Sequence, residues 1–185
     1  MNKNFFVAFL ILFILHTSCK TEKSVTLPPI TKTTKLVLDE NSLGDFKISK
    51  ETLLSEEKLQ KAFPNYKVTK KIGQQDGPNF NLYELGSDAM LMTQKTSTNN
   101  LFKIWCDHNS KIVDEYGVAV ETSFEELIKK RPNLKHTTEQ FKTYLYQENS
   151  NICYQIQLLN YNSPDKKEYS IEEIKDSKVI AIIWK

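Results

Sequence analysis

Cys106, Asp107 and His108 follow one another directly, and a thiol, a carboxylate and an imidazole in a row are the groups of a metal site or a nucleophilic centre. The surrounding pattern predicts a strand over Leu101–Cys106. Neighbouring residues on a strand point to opposite faces, so Cys106 and Asp107 cannot share one ligand geometry. His136, the only other histidine beyond the N-terminal segment, falls between a predicted helix and a predicted strand. A structural zinc needs four ligands and a cysteine nucleophile needs an oriented base; neither set is assembled here. No Gly-rich phosphate loop, Gly-x-Ser-x-Gly elbow or His-Glu-x-x-His motif occurs. The expectation is a protein with no catalytic residues, no metal site and no small-molecule cofactor. Cys106 and Cys153 each lie in a predicted strand, one in each half of the chain. An oxidising compartment would allow a disulfide between them, and two buried free thiols are the equal alternative.

The third cysteine, Cys19, carries the sharpest chemical signal. Lys3 precedes an unbroken apolar run, Phe5 to Leu15, and His16, Thr17 and Ser18 then lead to Cys19. Eleven apolar residues are too few to span a bilayer and suit a secretory h-region. The small residues before the cysteine make the segment resemble a bacterial lipoprotein signal, although His16 stands where that pattern prefers Leu. The resemblance implies cleavage after Ser18 and acyl chains on Cys19. One acyl chain holds a protein only marginally, at about 0.8 kcal/mol per buried methylene, whereas two or three hold it firmly. Residues 19–35, rich in Thr and Lys and containing Pro28-Pro29, form the lipidated N-terminus and a flexible tether. Within the tether, residues 20–35, only Glu22 is acidic, which favours the periplasmic face of the outer membrane.

Residues 36–185 must position anything else the protein does, and they contain one unit twice. Ser55 to Asn65 and Ser123 to Asn133 are identical at six of eleven positions: Ser55/Ser123, Glu57/Glu125, Leu59/Leu127, Lys61/Lys129, Pro64/Pro132 and Asn65/Asn133. Each copy reads as a short capped helix. Ser123 serves as N-cap with Glu126 closing a capping box, and Phe124, Leu127 and Ile128 make an apolar face. Lys129, Lys130 and Arg131 sit at the negative end of the dipole, and Pro132 stops the helix. A short strand is predicted before each helix, at Asp45–Ile48 and Gly117–Val120. Three strands are predicted after each, at Asn79–Glu84, Ala89–Gln94 and Leu101–Cys106, then Phe141–Gln147, Ile152–Leu159 and Lys178–Trp184, with Ile104-Trp105 matching Ile183-Trp184.

The expected fold class is therefore α+β. It is a tandem repeat of strand–helix–three antiparallel strands, about 36–115 and 116–185, with helices packed on one face of a mostly antiparallel sheet. Ile152, Tyr154 and Ile156 alternate with Cys153, Gln155 and Gln157, which predicts one face toward water. Val179 to Trp184 is apolar on both faces, as in a central strand or one whose outer face makes contacts.

Composition narrows the function class. The chain has 185 residues, 39% hydrophobic and 26% charged, with a net charge of +2. That is a globular profile without the field of a nucleic-acid binder. The lysines are scattered, and Arg131 alone could make a forked arginine contact.

Taken with the signal, the Gly117-to-Pro132 unit and the closing Ser177–Lys185 segment, SKVIAIIWK, make the chain from about Leu43 onward resemble the RpoE-regulated lipoprotein family. These are small bacterial envelope proteins with a domain of unknown function. The resemblance implies a mixed helix–sheet domain tethered to the outer membrane and associated with envelope stress. It carries over no catalytic residue. The cysteines do not fall where those of the enterobacterial members do, so it assigns no disulfide.

The function expected is that of a membrane-anchored, non-enzymatic envelope lipoprotein. Its partners would be the membrane, through the lipid on Cys19, and a protein or other envelope component bound by the domain. The alternative is an envelope hydrolase, which would have to gather His108, His136 or a carboxylate pair in one pocket.

Overall fold

The computed structural model describes residues 35–185, apart from 75–76, 95–97, 140–141 and 159–168. The chain enters through three two-residue strands, β1 (Val37–Leu38), β2 (Ser42–Leu43) and β3 (Phe46–Lys47). Gly44 turns β2 into β3 at φ +57°, and a Cβ there would stand 2.8 Å from Leu36 Cδ2, so the position favours glycine. Helix α1 (Glu56–Ala62) and helix α2 (Phe124–Lys130) then begin where the sequence places them. The Oγ of Ser55 accepts the Lys58 amide and that of Ser123 the Glu126 amide, both at 3.2 Å. Glu126 pairs with Lys130 at 2.8 Å rather than closing a capping box. At the far ends the amides of Phe63 and Arg131 donate to the carbonyls of Leu59 and Leu127, both at 2.8 Å.

Four strands follow each helix, where the sequence predicts three. After α1 come β4 (Val68–Gly73), β5 (Phe80–Leu85), β6 (Ala89–Thr93) and β7 (Leu101–Cys106). Between the repeats lies β8 (Val113–Asp114). After α2 come β9 (Lys135–Glu139), β10 (Lys142–Tyr146), β11 (Ile152–Ile156), a short helix α3 (Ile171–Ile174) and β12 (Val179–Trp184). The strand expected at Gly117–Val120 is a turn, with Ala119 making one bridge to Val113. Gly117 sits at φ +75°, and Asp114 Oδ1 takes the amides of Tyr116 at 3.0 Å and Val118 at 2.8 Å. Those amides are thereby lost to any ladder.

The large sheet has the order β4-β5-β6-β7-β12-β11-β10-β9, every neighbouring pair antiparallel. Each repeat is a four-stranded meander, and the two join edge to edge through their last strands, β7 and β12. The small sheet has the order β3-β2-β1-β8, with β1 and β8 parallel. One core lies between it and one face of the large sheet. Leu38, Leu43 and Ile48 meet Leu91, Ile104, Ile152, Tyr154 and Trp184 there, with Leu59, Phe63, Phe124 and Leu127 from the helices and their ends.

The molecule is thus mostly β, with two sheets and three short helices among the described residues, and the expected α+β class is overturned. The reason is helix length. Seven residues make about two turns and bury one or two side chains each, so the layer facing the large sheet is completed by short strands.

The matched Ile-Trp dipeptides also differ from expectation. The ladder sets Trp105 opposite Ile183 and Trp184 opposite Ile104. Directly opposed residues share a face, so the two tryptophans point to opposite sides of the sheet. Trp184 enters the core at 1% exposure, whereas Trp105 belongs to a separate cluster on the outer face.

Candidate functional site

Cys19, the proposed lipidation site, lies outside the described residues. Cys106 and Cys153 are both free and buried. Cys106 opposes Ile182 in the main core, whereas Cys153 opposes Ile183 in the outer cluster. The two thiols therefore stand on opposite faces with β12 between them, and the disulfide left open by the sequence is not formed. Burial pushes the Cys106 thiol up to about 12, which makes it a poor nucleophile. His108 lies just beyond β7, its Nδ1 3.6 Å from Asp107. His136 sits on the edge strand β9 opposite Leu145. Four strand spacings separate β7 from β9, roughly 19 Å, so the sheet does not bring these histidines together. Among the described residues no group of three or more His, Cys, Asp or Glu could hold a metal.

What the fold does assemble is the outer face of the large sheet. Its floor is Cys153, Ala181 and Ile183, all buried, with Trp105, Tyr144 and Tyr146 half-buried around them. Cross-strand pairing extends the face: Met90 opposes Trp105, Met92 opposes Lys103, and Leu82 opposes Met92. No described residue of the small sheet or of the helices joins this second cluster. Lysines stand among the rings, with Lys103 Nζ 5.4 Å and Lys142 Nζ 5.9 Å from the centre of Trp105, and Lys185 Nζ 5.8 Å from that of Tyr144. Burial holds the Lys103 ammonium below its ordinary value, with Lys185 and Lys142 pushing the same way and Cys153 and Glu139 against it. β11, expected to present one side to water, is buried on both: Cys153 at 2% and Gln155 at 8% exposure. The aromatic side chains over it provide that cover.

The sequence contains a second assembly that pattern alone does not reveal. Arg131, at the C-cap of α2, is 2% exposed. Its guanidinium donates to Tyr154 Oη at 3.0 Å, Gln147 Oε1 at 3.1 Å and Ser150 Oγ at 3.0 Å, and lies 4.5 Å from the centre of the Tyr116 ring. Tyr154 donates in turn to Asp114. Ser150 donates to Glu40, which also takes the Asn151 amide at 2.7 Å, while the Glu40 carbonyl accepts Trp184 Nε1 at 2.9 Å. Burial pushes the Asp114 carboxyl up, against the Tyr154 hydroxyl, the two amides and Arg131. Burial of Arg131 is outweighed by Tyr154, Tyr116 and Asp114, so its charge is retained. This network ties the small sheet to the second repeat. Its reacting atoms are enclosed, so it fastens layers and offers no substrate access. The one available signal was that Arg131 is the chain's single arginine.

The clefts near these groups are shallow. A volume of about 160 Å³ lies beside Trp105, Asp107 and His108, and one of about 560 Å³ beside Tyr66, Asp88 and Lys111.

No family model and no curated protein matches the chain. Among solved structures it is similar to the crystal structure of the uncharacterized protein yfeY from Escherichia coli. The match spans 82% of this chain and 99% of that one at 21% identity, with a TM-score of 0.61. At that identity the likeness is one of fold, and the chain shares the architecture of an uncharacterized bacterial protein.

Proposed function

We propose that this protein is a lipid-anchored bacterial envelope lipoprotein of the RpoE-regulated lipoprotein family, and that its domain is a non-enzymatic binding module. In this reading Cys19 carries the acyl chains, residues 19–35 are the tether, and the protein sits in the outer membrane facing the periplasm. The single observation that supports binding is the outer face of the large sheet, where Trp105, Tyr144 and Tyr146 stand half-buried over a buried apolar floor with no described layer over them. Contiguous apolar surface of this kind marks interaction sites in soluble domains. The fold likeness to the E. coli protein is compatible with family membership. Two of the groups a hydrolase could use, His108 and His136, are dispersed along the sheet, and the buried Asp114 carboxyl is engaged by Tyr154 and two amides.

Two experiments test the reading. Cys19→Ser followed by cell fractionation should move the protein from the membrane to the soluble fraction; a product that stays membrane-bound overturns the anchor. A photo-crosslinking amino acid replacing Tyr144 in the full chain should give adducts in cells. The same residue at Ile72, which is 72% exposed on edge strand β4, is the control. Yields no higher at 144 than at 72 would overturn binding by the outer face.

A further inference from the structure

The outer face is charged as well as apolar, and at its centre three lysines outnumber one carboxylate, Glu139, which stands opposite Lys142 on the same face. Lys71 is paired with Glu84 at 2.7 Å and Lys135 with Glu148. Lys103, Lys142 and Lys185 have no ion pair among the described residues. All three ammonium groups instead lie within 6 Å of Trp105 or Tyr144, over the middle of the sheet. A buried acceptor accompanies them. Gln155 opposes Tyr144 and Ala181 on this same face, is 8% exposed, and its Oε1 has no hydrogen-bond partner among the described residues. An unsatisfied buried acceptor costs free energy until a donor reaches it.

We infer that Trp105, Tyr144 and Tyr146, with Lys103, Lys142 and Lys185, form the docking site for another protein, one that presents carboxylates around an apolar contact. This deepens the binding reading above and rests on it. The lysines supply charge complementarity for Asp and Glu side chains. The apolar floor and the flanking Met90 and Met92 have the aromatic and methionine enrichment of protein interface cores. A second copy of this chain is disfavoured, because a two-fold contact centred on the face would set the same lysines against each other. A lipid surface and a glycan are outcomes that the test below separates from a protein.

The test uses the full chain in cells, with the photo-crosslinker at position 144. The expected adduct is protease-sensitive, contains a different polypeptide, and maps to a segment rich in Asp or Glu. Lys103→Glu with Lys142→Glu should cut its yield about tenfold, and the milder Lys103→Gln with Lys142→Gln should give an intermediate loss. Lys129→Glu, on the exposed side of α2, should leave it unchanged. Retained far-UV circular dichroism in each variant separates lost docking from lost folding. An adduct that is lipid, glycan or a second copy of the chain, or that survives charge reversal, overturns the acidic-protein proposal while leaving the binding reading intact. Absence of any adduct above the Ile72 control overturns both.

Discussion

Asp114 shows how one residue can carry a pH signature for the fold. Its carboxyl is buried beneath Tyr154 and two amides, and burial raises its pKa. The native state therefore holds this proton more tightly than the unfolded chain does. Its contribution to stability falls as pH rises from about 4, the ordinary carboxylate value, through the raised native value, and returns on acidification. Asp114→Asn removes that titration. The urea midpoint of the unsubstituted protein should fall relative to that of Asp114→Asn as pH rises from about 4 toward neutrality; a gap that stays constant with pH would contradict the assignment. Nothing local in the sequence points to Asp114 or to its partner network. Tyr154 is 40 residues away and Glu40 is 110 residues from Ser150. Only the chain's lone arginine hinted that something specific was held there. The outer-face residues were partly legible. Tyr144 and Tyr146 alternate along one strand, but register alone decides that Trp105 joins them and Trp184 does not.

At the scale of elements, what is local was legible and what is non-local was not. The helices were readable because a serine cap, a short apolar face and a proline stop are all within eleven residues. Their energetics should be equally local. Ser55→Ala and Ser123→Ala should each cost about 1 kcal/mol in urea unfolding. The double variant should lose about the sum, because the caps lie on different repeats and share no partner. A double loss no larger than either single loss would mean that the helices are not independently capped. The strands β4 and β9 escaped detection for a physical reason. They are the two edges of the large sheet, and Thr69-Lys70-Lys71 and His136-Thr137-Thr138 are polar on both sides, as edge strands tend to be. The small sheet escaped because two-residue strands are too short to show any period. These omissions led to the expectation of helices as the covering layer.

At the scale of the whole molecule, the duplication was visible but its assembly was not. Matching segments indicate two units; only the ladder between β7 and β12 says that the units share one sheet and one core. The outer face is itself composite, with Trp105 from the first repeat and Tyr144, Tyr146, Cys153 and Ile183 from the second. It therefore exists only while the two halves are joined, and the domain should unfold as a unit. The two tryptophans make this measurable because they face opposite sides. In Trp105→Phe the remaining Trp184 reports the core, where its Nε1 donates to the Glu40 carbonyl. Urea unfolding followed by Trp184 fluorescence and by far-UV circular dichroism should give one coincident transition, since neither half can separate without breaking the shared core. Two transitions, one of them silent in Trp184 fluorescence, would show that the first repeat opens alone. The composite face would then be lost before the second half unfolds, and docking would be tied to the stability of the weaker repeat.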